Sequence, residues 1–121
     1  MASGDLTLPI ETPGPPGEVV VAPVVVAKLA GAAARSTYGV MRMESSPMRR
    51  LARFLKGSLT EGVEVEVEGE AVRIELHVAM ERGVNLAQVT ANLQEQVRYQ
   101  VEGVAGVPVE AINVTVEDLE D

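Results

Sequence analysis

The chain has 121 residues, a net charge of −8 at pH 7, one histidine and no cysteine. That bounds it to one domain with a tail, and it excludes a disulfide framework, thiolate chemistry and zinc–sulfur sites. No apolar run approaches the ~20 residues that span a bilayer, and the start lacks the basic-then-apolar pattern of a secretory signal.

Residues 1–17 hold Pro9, Pro13, Pro15 and Pro16 with Gly4, Gly14 and Gly17, and read as a disordered Pro/Gly-rich tail. A single α+β domain is expected over residues 18–121. Glu18 to Ala22 is a short apolar run, read as a strand. Pro23 suits the first turn of a helix, and Val24 to Arg35 continues it with Val25, Leu29 and Ala32 or Ala33 as the apolar stripe. Ser36-Thr37-Tyr38-Gly39 stops that helix, and Val40 to Met43 reads as a second short strand. Pro47 opens a short amphipathic helix to Lys56, with Met48, Leu51, Ala52, Leu55 and Leu59 on one side. Arg49, Arg53 and Lys56 fall on another, with Arg50 nearby. The segment reads either as a solvated connector whose leucines dock on the core or as a basic element for an anionic surface or an acidic partner, and Arg49, Arg50, Arg53 and Lys56 are the candidate partner contact.

The strongest periodicity follows. Val63, Val65 and Val67 alternate with Glu64, Glu66 and Glu68, and the alternation resumes at Val72, Ile74, Leu76, Val78 and Met80. Period two with β-branched residues predicts a hairpin with one wet face. Directly opposed residues must share a face. Val67 is therefore set against Val72, Val65 against Ile74 and Val63 against Leu76. Gly69 then lies in the turn, where it can take positive φ. On the wet face, Glu66 meets Arg73 and Glu64 meets Glu75.

A helix begins at Asn85, with Gln88 completing a capping-box-like pair. Its stripe is Leu86, Val89, Leu93, Val97, Val101 and Val104. Gly103 or Gly106 ends it, and Pro108 forbids continuation. Ile112 to Val116 is the last strand, with Ile112, Val114 and Val116 on one face. These elements predict a small mixed sheet with two main helices packed on it.

Little in the chain suggests catalysis. His77 has no second histidine and no nearby serine for a triad, so on the polar side of its strand it reads as a surface residue. Glu64, Glu66 and Glu68 spread in a row along one strand and read as a solvated acidic face, not a metal site. Gly103-Val104-Ala105-Gly106 matches a bare G-x-x-G pattern without a basic residue to meet phosphate. The aromatic residues Tyr38, Phe54 and Tyr99 offer no platform for bases. No catalytic, cofactor or metal residue is assigned. Charge is divided: residues 1–60 balance at +3, leaving −11 on residues 61–121. That disfavours nucleic acid or an anionic membrane as a direct partner of the second half.

From Gly17 to Val116 the chain resembles the alkaline shock protein (envelope stress response) family. The residues that carry the likeness are Gly17-Glu-Val-Val-Val, the Ala-rich helix ending in Tyr38-Gly39-Val40, and the hairpin from Gly62. The run Gly83, Asn85, Val89, Leu93, Gln94, Val97 follows, then Val101-Glu102-Gly103-Val104, Gly106-Val107 and Ile112-Asn113-Val114-Thr115-Val116. One departure is Arg82 before Gly83, where relatives commonly have an aromatic residue. The resemblance implies a small, non-enzymatic bacterial protein of the cytoplasm. Some relatives lie at the inner face of the membrane through a membrane-anchored partner, and others are associated with control of lipid synthesis. The expected function is a non-catalytic structural or adaptor role in cell-envelope stress homeostasis, through protein–protein contacts. The alternative is a regulatory binding protein for an enzyme of lipid (fatty-acid) synthesis. The expected partner is a protein, with self-association compatible, and neither nucleic acid nor direct membrane insertion is expected.

Overall fold

A computed structural model describes residues 19–44 and 61–121. Along them run α1 (Pro23–Arg35), β1 (Val40–Met43), β2 (Val63–Glu68), β3 (Ala71–Glu81), α2 (Leu86–Arg98) continued by a π-helical stretch (Tyr99–Ala105), and β4 (Val109–Glu120). The tail and the Pro47–Lys56 helix predicted from the sequence lie outside the described residues.

Strand β3 organises the sheet. Its hairpin with β2 has the expected register, Val63 opposite Leu76, Val65 opposite Ile74 and Val67 opposite Val72. Glu68 pairs with Ala71, so Gly69 and Glu70 form the turn, and Gly69 takes φ +63°. β1 continues along the same edge, antiparallel to the second half of β3. The other edge of β3 carries β4 in parallel over nearly its whole length. The sheet is therefore mixed, and the fold is α+β.

At the junction of β2 and β1, the His77 N–H donates to Gly62 O at 2.9 Å and the Glu44 N–H donates to His77 O at 2.8 Å. Gly62 sits here at φ +76°, where a Cβ would come within 2.7 Å of Glu44 O. Only glycine lets the two short strands share one edge this closely.

Both helices cover one face of the sheet. Ile74, Leu76, Val78 and Met80 from β3 pack with Val89, Leu93 and Val97 from α2, with Val101 from its π-helical continuation and with Val26, Ala30, Ala33 and Ala34 from α1. Asn85 caps α2 by accepting from the Gln88 N–H at 3.1 Å. The Gln88 side chain turns to Asn92 instead of reaching back, so only half of a capping box forms.

Three expectations need correction. Residues 19–22 are not a strand: both edges of β3 are taken, and Val19 and Val20 stand exposed. The face of α1 is rotated from the predicted one. Val26, Ala27, Ala30, Gly31, Ala33 and Ala34 are buried, while Val25 is exposed. A helix that is small and apolar all round does not mark its own inner face, and the alanine side permits the closest approach to the sheet. On α2 the stripe holds from Val89 to Val101, but both of its ends, Leu86 and Val104, are exposed. Beyond Arg98 the wider π turn rotates less per residue, so Val104 swings off the stripe. The helix ends at Gly106, which is left-handed.

Candidate functional site

The face of the sheet opposite the helices carries the charged chemistry. Its lower half is wet, as the alternation predicts: Glu64 lies opposite Glu75 and Glu66 opposite Arg73, all but the half-buried Arg73 exposed. Its upper half is not. Residues Leu76 to Met80 are all buried, so period two is lost there. His77 belongs to this buried half at 6% exposure, which overturns its reading as a surface residue.

Two bulges in β4 explain much of this face. Val72 pairs with Val109 and Arg73 with Ala111, so Glu110 is extra; Val78 pairs with Val116 and Ala79 with Asp118, so Glu117 is extra. A bulge re-aims the inserted side chain. Glu110 meets Arg73 at 3.7 Å. Glu117 Oε2 lies 2.8 Å from His77 Nδ1. A carboxylate accepts, so Nδ1 carries the proton. His77 Nε2 is then left buried with no hydrogen-bond partner among the described residues.

Above His77, Arg42 crosses the sheet. It pairs in register with Ala79, whose other neighbour is Asp118. The small side chain of Ala79 lets the guanidinium pass over β3 to Glu120, to which Nε donates at 2.7 Å. Arg42 also pairs with Glu44 and, at 3.7 Å, with Asp118. The Glu120 hydrogen bond, ahead of that with Glu44, raises the Arg42 pKa against a smaller desolvation effect. The cluster of Glu44, Asp118 and Glu120 is thus held together by a permanent cation.

Two other surfaces could receive a partner. An apolar groove of about 610 Å³ opens at the hairpin end, lined by Val19, Val20, Val21, Val67, Val72 and Val107 with Pro23 and Pro108. The far edge of β4 pairs with no strand among the described residues. Its start is covered from α2 and its π-helical continuation: Arg98 donates to Val109 O at 2.9 Å, Glu102 accepts from the Val109 N–H at 3.0 Å, and Gln94 donates to Ile112 O at 3.0 Å. Beyond it, Glu117 and Asp118 are exposed, with their carboxylates turned across the sheet to His77 and Arg42. The predicted contact residues Arg49, Arg50, Arg53 and Lys56 lie outside the described residues. Among the described residues, no helix is long and apolar enough to cross a membrane.

Comparison with known proteins bears directly on this surface-dominated chain. A sequence profile of the alkaline shock protein family, described as having a cell envelope-related function, matches residues 11–120. The chain belongs to the alkaline shock protein family. Its relatives include the uncharacterized protein YloU of Bacillus subtilis, 31% identical over 104 residues that cover 84% of this chain and 87% of YloU. The uncharacterized protein Spy1535 of Streptococcus pyogenes is 32% identical, over 85% of this chain and 79% of its own. Among solved structures, the zinc form of a MamM CTD variant superposes with a TM-score of 0.51 at 15% identity, over 81% of this chain and 87% of that one. At that identity the likeness concerns the fold alone. In this member of the family, the features that sequence reading missed are the burial of His77 and the two glutamates that reach β3 from bulges. A bulge leaves no mark in a hydrophobic pattern beyond a shift in parity. The glutamates at 110 and 117, both adjacent to valine-rich runs, are the only visible sign.

Proposed function

We propose that this alkaline shock family protein is a non-catalytic adaptor in cell-envelope stress homeostasis, working through protein–protein contacts at the inner face of the membrane. The observation that carries the reading is the family match across residues 11–120, with its cell envelope-related description. The surface agrees with such a role. It offers an apolar groove at one end and a strand edge that pairs with no other strand among the described residues. The basic quartet Arg49, Arg50, Arg53 and Lys56 is the proposed contact for a partner that is itself membrane-anchored. Its charge complements an acidic partner surface.

The test is affinity capture of the full chain from the native cell, with membrane and soluble fractions kept apart. The expected result is a membrane-anchored protein enriched from the membrane fraction and lost with Arg49→Glu/Arg53→Glu. Capture that survives the reversal would remove the quartet from the contact. Enrichment of a lipid-synthesis enzyme from the soluble fraction, with no membrane protein, would replace the adaptor reading with a regulatory one.

A further inference from the structure

We propose that the middle of the β4 edge, at Val114 and Val116, takes up an extended segment of another protein, bearing lysine or arginine, as a fifth strand of the sheet. The backbone sets the place. Ile112 turns its carbonyl away from β3, where it accepts from Gln94. Carbonyls alternate in direction along a paired strand, so those of Val114 and Val116 turn away from β3 as well, with their N–H groups beside them. Among the described residues, no strand pairs with this edge.

Both ends of the edge are closed by side chains. At its start Arg98 and Glu102 bond Val109, and Gln94 bonds Ile112. At its end the Asp118 carboxylate accepts from the Leu119 N–H at 2.8 Å. The open groups at Val114 and Val116 lie between these caps. Unpaired N–H and C=O groups in such a row are a template for another strand.

The flanks define which strand fits. An added strand sends alternate side chains to the two faces of the sheet. On the helix face they meet Leu86, Val116 and Leu119, which line a hollow beside the edge, so apolar residues suit that side. On the open face they run alongside Asn113 and Thr115, both exposed, toward Glu117 and Asp118. Charge decides against a second copy of β4. Residues 109–121 hold Glu110, Glu117, Asp118, Glu120 and Asp121 and no basic residue. Two such strands side by side oppose like charges, which destabilises a ladder. A basic strand reverses the sign. Glu117 and Asp118 already meet His77 and Arg42, but both stay exposed, and a carboxylate has acceptor sites for a second donor. Main-chain hydrogen bonds supply the affinity of such additions, and the alternate side chains supply the selection.

The edge is tested with no membrane-anchored partner present, so a failure here leaves the adaptor reading as it stands. Amide hydrogen exchange of the full chain is followed by NMR with a peptide of about eight alternating lysine and valine residues, and with its counterpart carrying glutamate for lysine. In the free chain, Val114 and Val116 should exchange faster than Asn113 and Thr115, whose N–H groups face β3. The basic peptide, at about ten times its Kd, should slow Val114 and Val116 about tenfold and leave Asn113 and Thr115 unchanged. The acidic peptide should slow none of them. No slowing at about 10 mM basic peptide, above the range of a millimolar site, would overturn the proposal, as would equal slowing by the two peptides. Protection of Val114 and Val116 in the free chain would also overturn it. Protection that grows with protein concentration would assign the edge to a second copy, and protection that does not would assign it to a contact within the chain.

Discussion

At the scale of single residues, two glycines separate strain from crowding. Gly69 and Gly62 both take positive φ, but a Cβ at Gly69 would meet nothing within 4 Å, whereas at Gly62 it would press on Glu44 O and on His77 O at 2.9 Å. Gly69→Ala is expected to cost roughly 1 kcal/mol, the left-handed penalty alone. Gly62→Ala is expected to cost roughly 2–4 kcal/mol, because backbone atoms that hold the β2–β1 junction must also shift. Urea melts of the two variants check this, and equal midpoints would mean that the junction yields without cost. Leu93 and Gln94 make a second contrast on α2. Leu93 is fully buried, so Leu93→Ala should destabilise by roughly 2–5 kcal/mol. Gln94 donates to Ile112 O, so its removal is not silent, yet a partly exposed amide bond is worth only about 0.5–1.5 kcal/mol. The same melts rank the pair, and a larger effect at Gln94 would place the wrong face of α2 inward.

At the scale of elements, the junction of α2 and β4 depends on a staple. Arg98 and Glu102 bond each other at 3.1 Å, and both reach Val109, where β4 begins. Glu102→Ala leaves the Val109 N–H without its acceptor and should cost roughly 1–2 kcal/mol, with faster amide exchange at Val109. Glu95→Ala, on the exposed side of the same helix, should stay within about 0.5 kcal/mol; equal exchange in both variants would show that the staple adds nothing. Elements of this kind were unevenly legible in the sequence. The hairpin register followed from parity, because Val65 and Ile74 had to share the buried face. The cap at Asn85 and the core stripe from Val89 to Val101 followed from spacing. The inner face of α1 did not, since valine and alanine lie on all sides of it. Nor did the parallel bond between β3 and β4 bring Glu117 to His77 on paper, because the meeting needs a bulge at a residue that looks like one more solvated acid. By its alternation His77 therefore reads as a surface residue, yet it belongs to the interior of the open face.

At the scale of the whole molecule, the distribution of charge decides how the protein can meet a membrane. Residues 61–121 carry −11 and residues 1–60 carry +3, so most of the chain is repelled by an anionic bilayer. The quartet Arg49, Arg50, Arg53 and Lys56 is the densest basic run. At about 1 kcal/mol per basic residue near such a surface, it supplies roughly 4 kcal/mol at best, an affinity on the order of millimolar. Repulsion by the acidic half lowers that further, and salt screens it within about 8 Å. The full chain alone is therefore expected to stay in the supernatant when anionic phosphatidylserine vesicles are sedimented at physiological salt. Arg49→Glu/Arg53→Glu should behave in the same way. Adding the membrane-anchored partner to the vesicles should bring the wild-type chain down and leave the reversal variant behind. Tight unaided binding that the reversal abolishes would instead make the quartet a lipid contact, and the protein would then reach the envelope by its own charge, without an adaptor's partner.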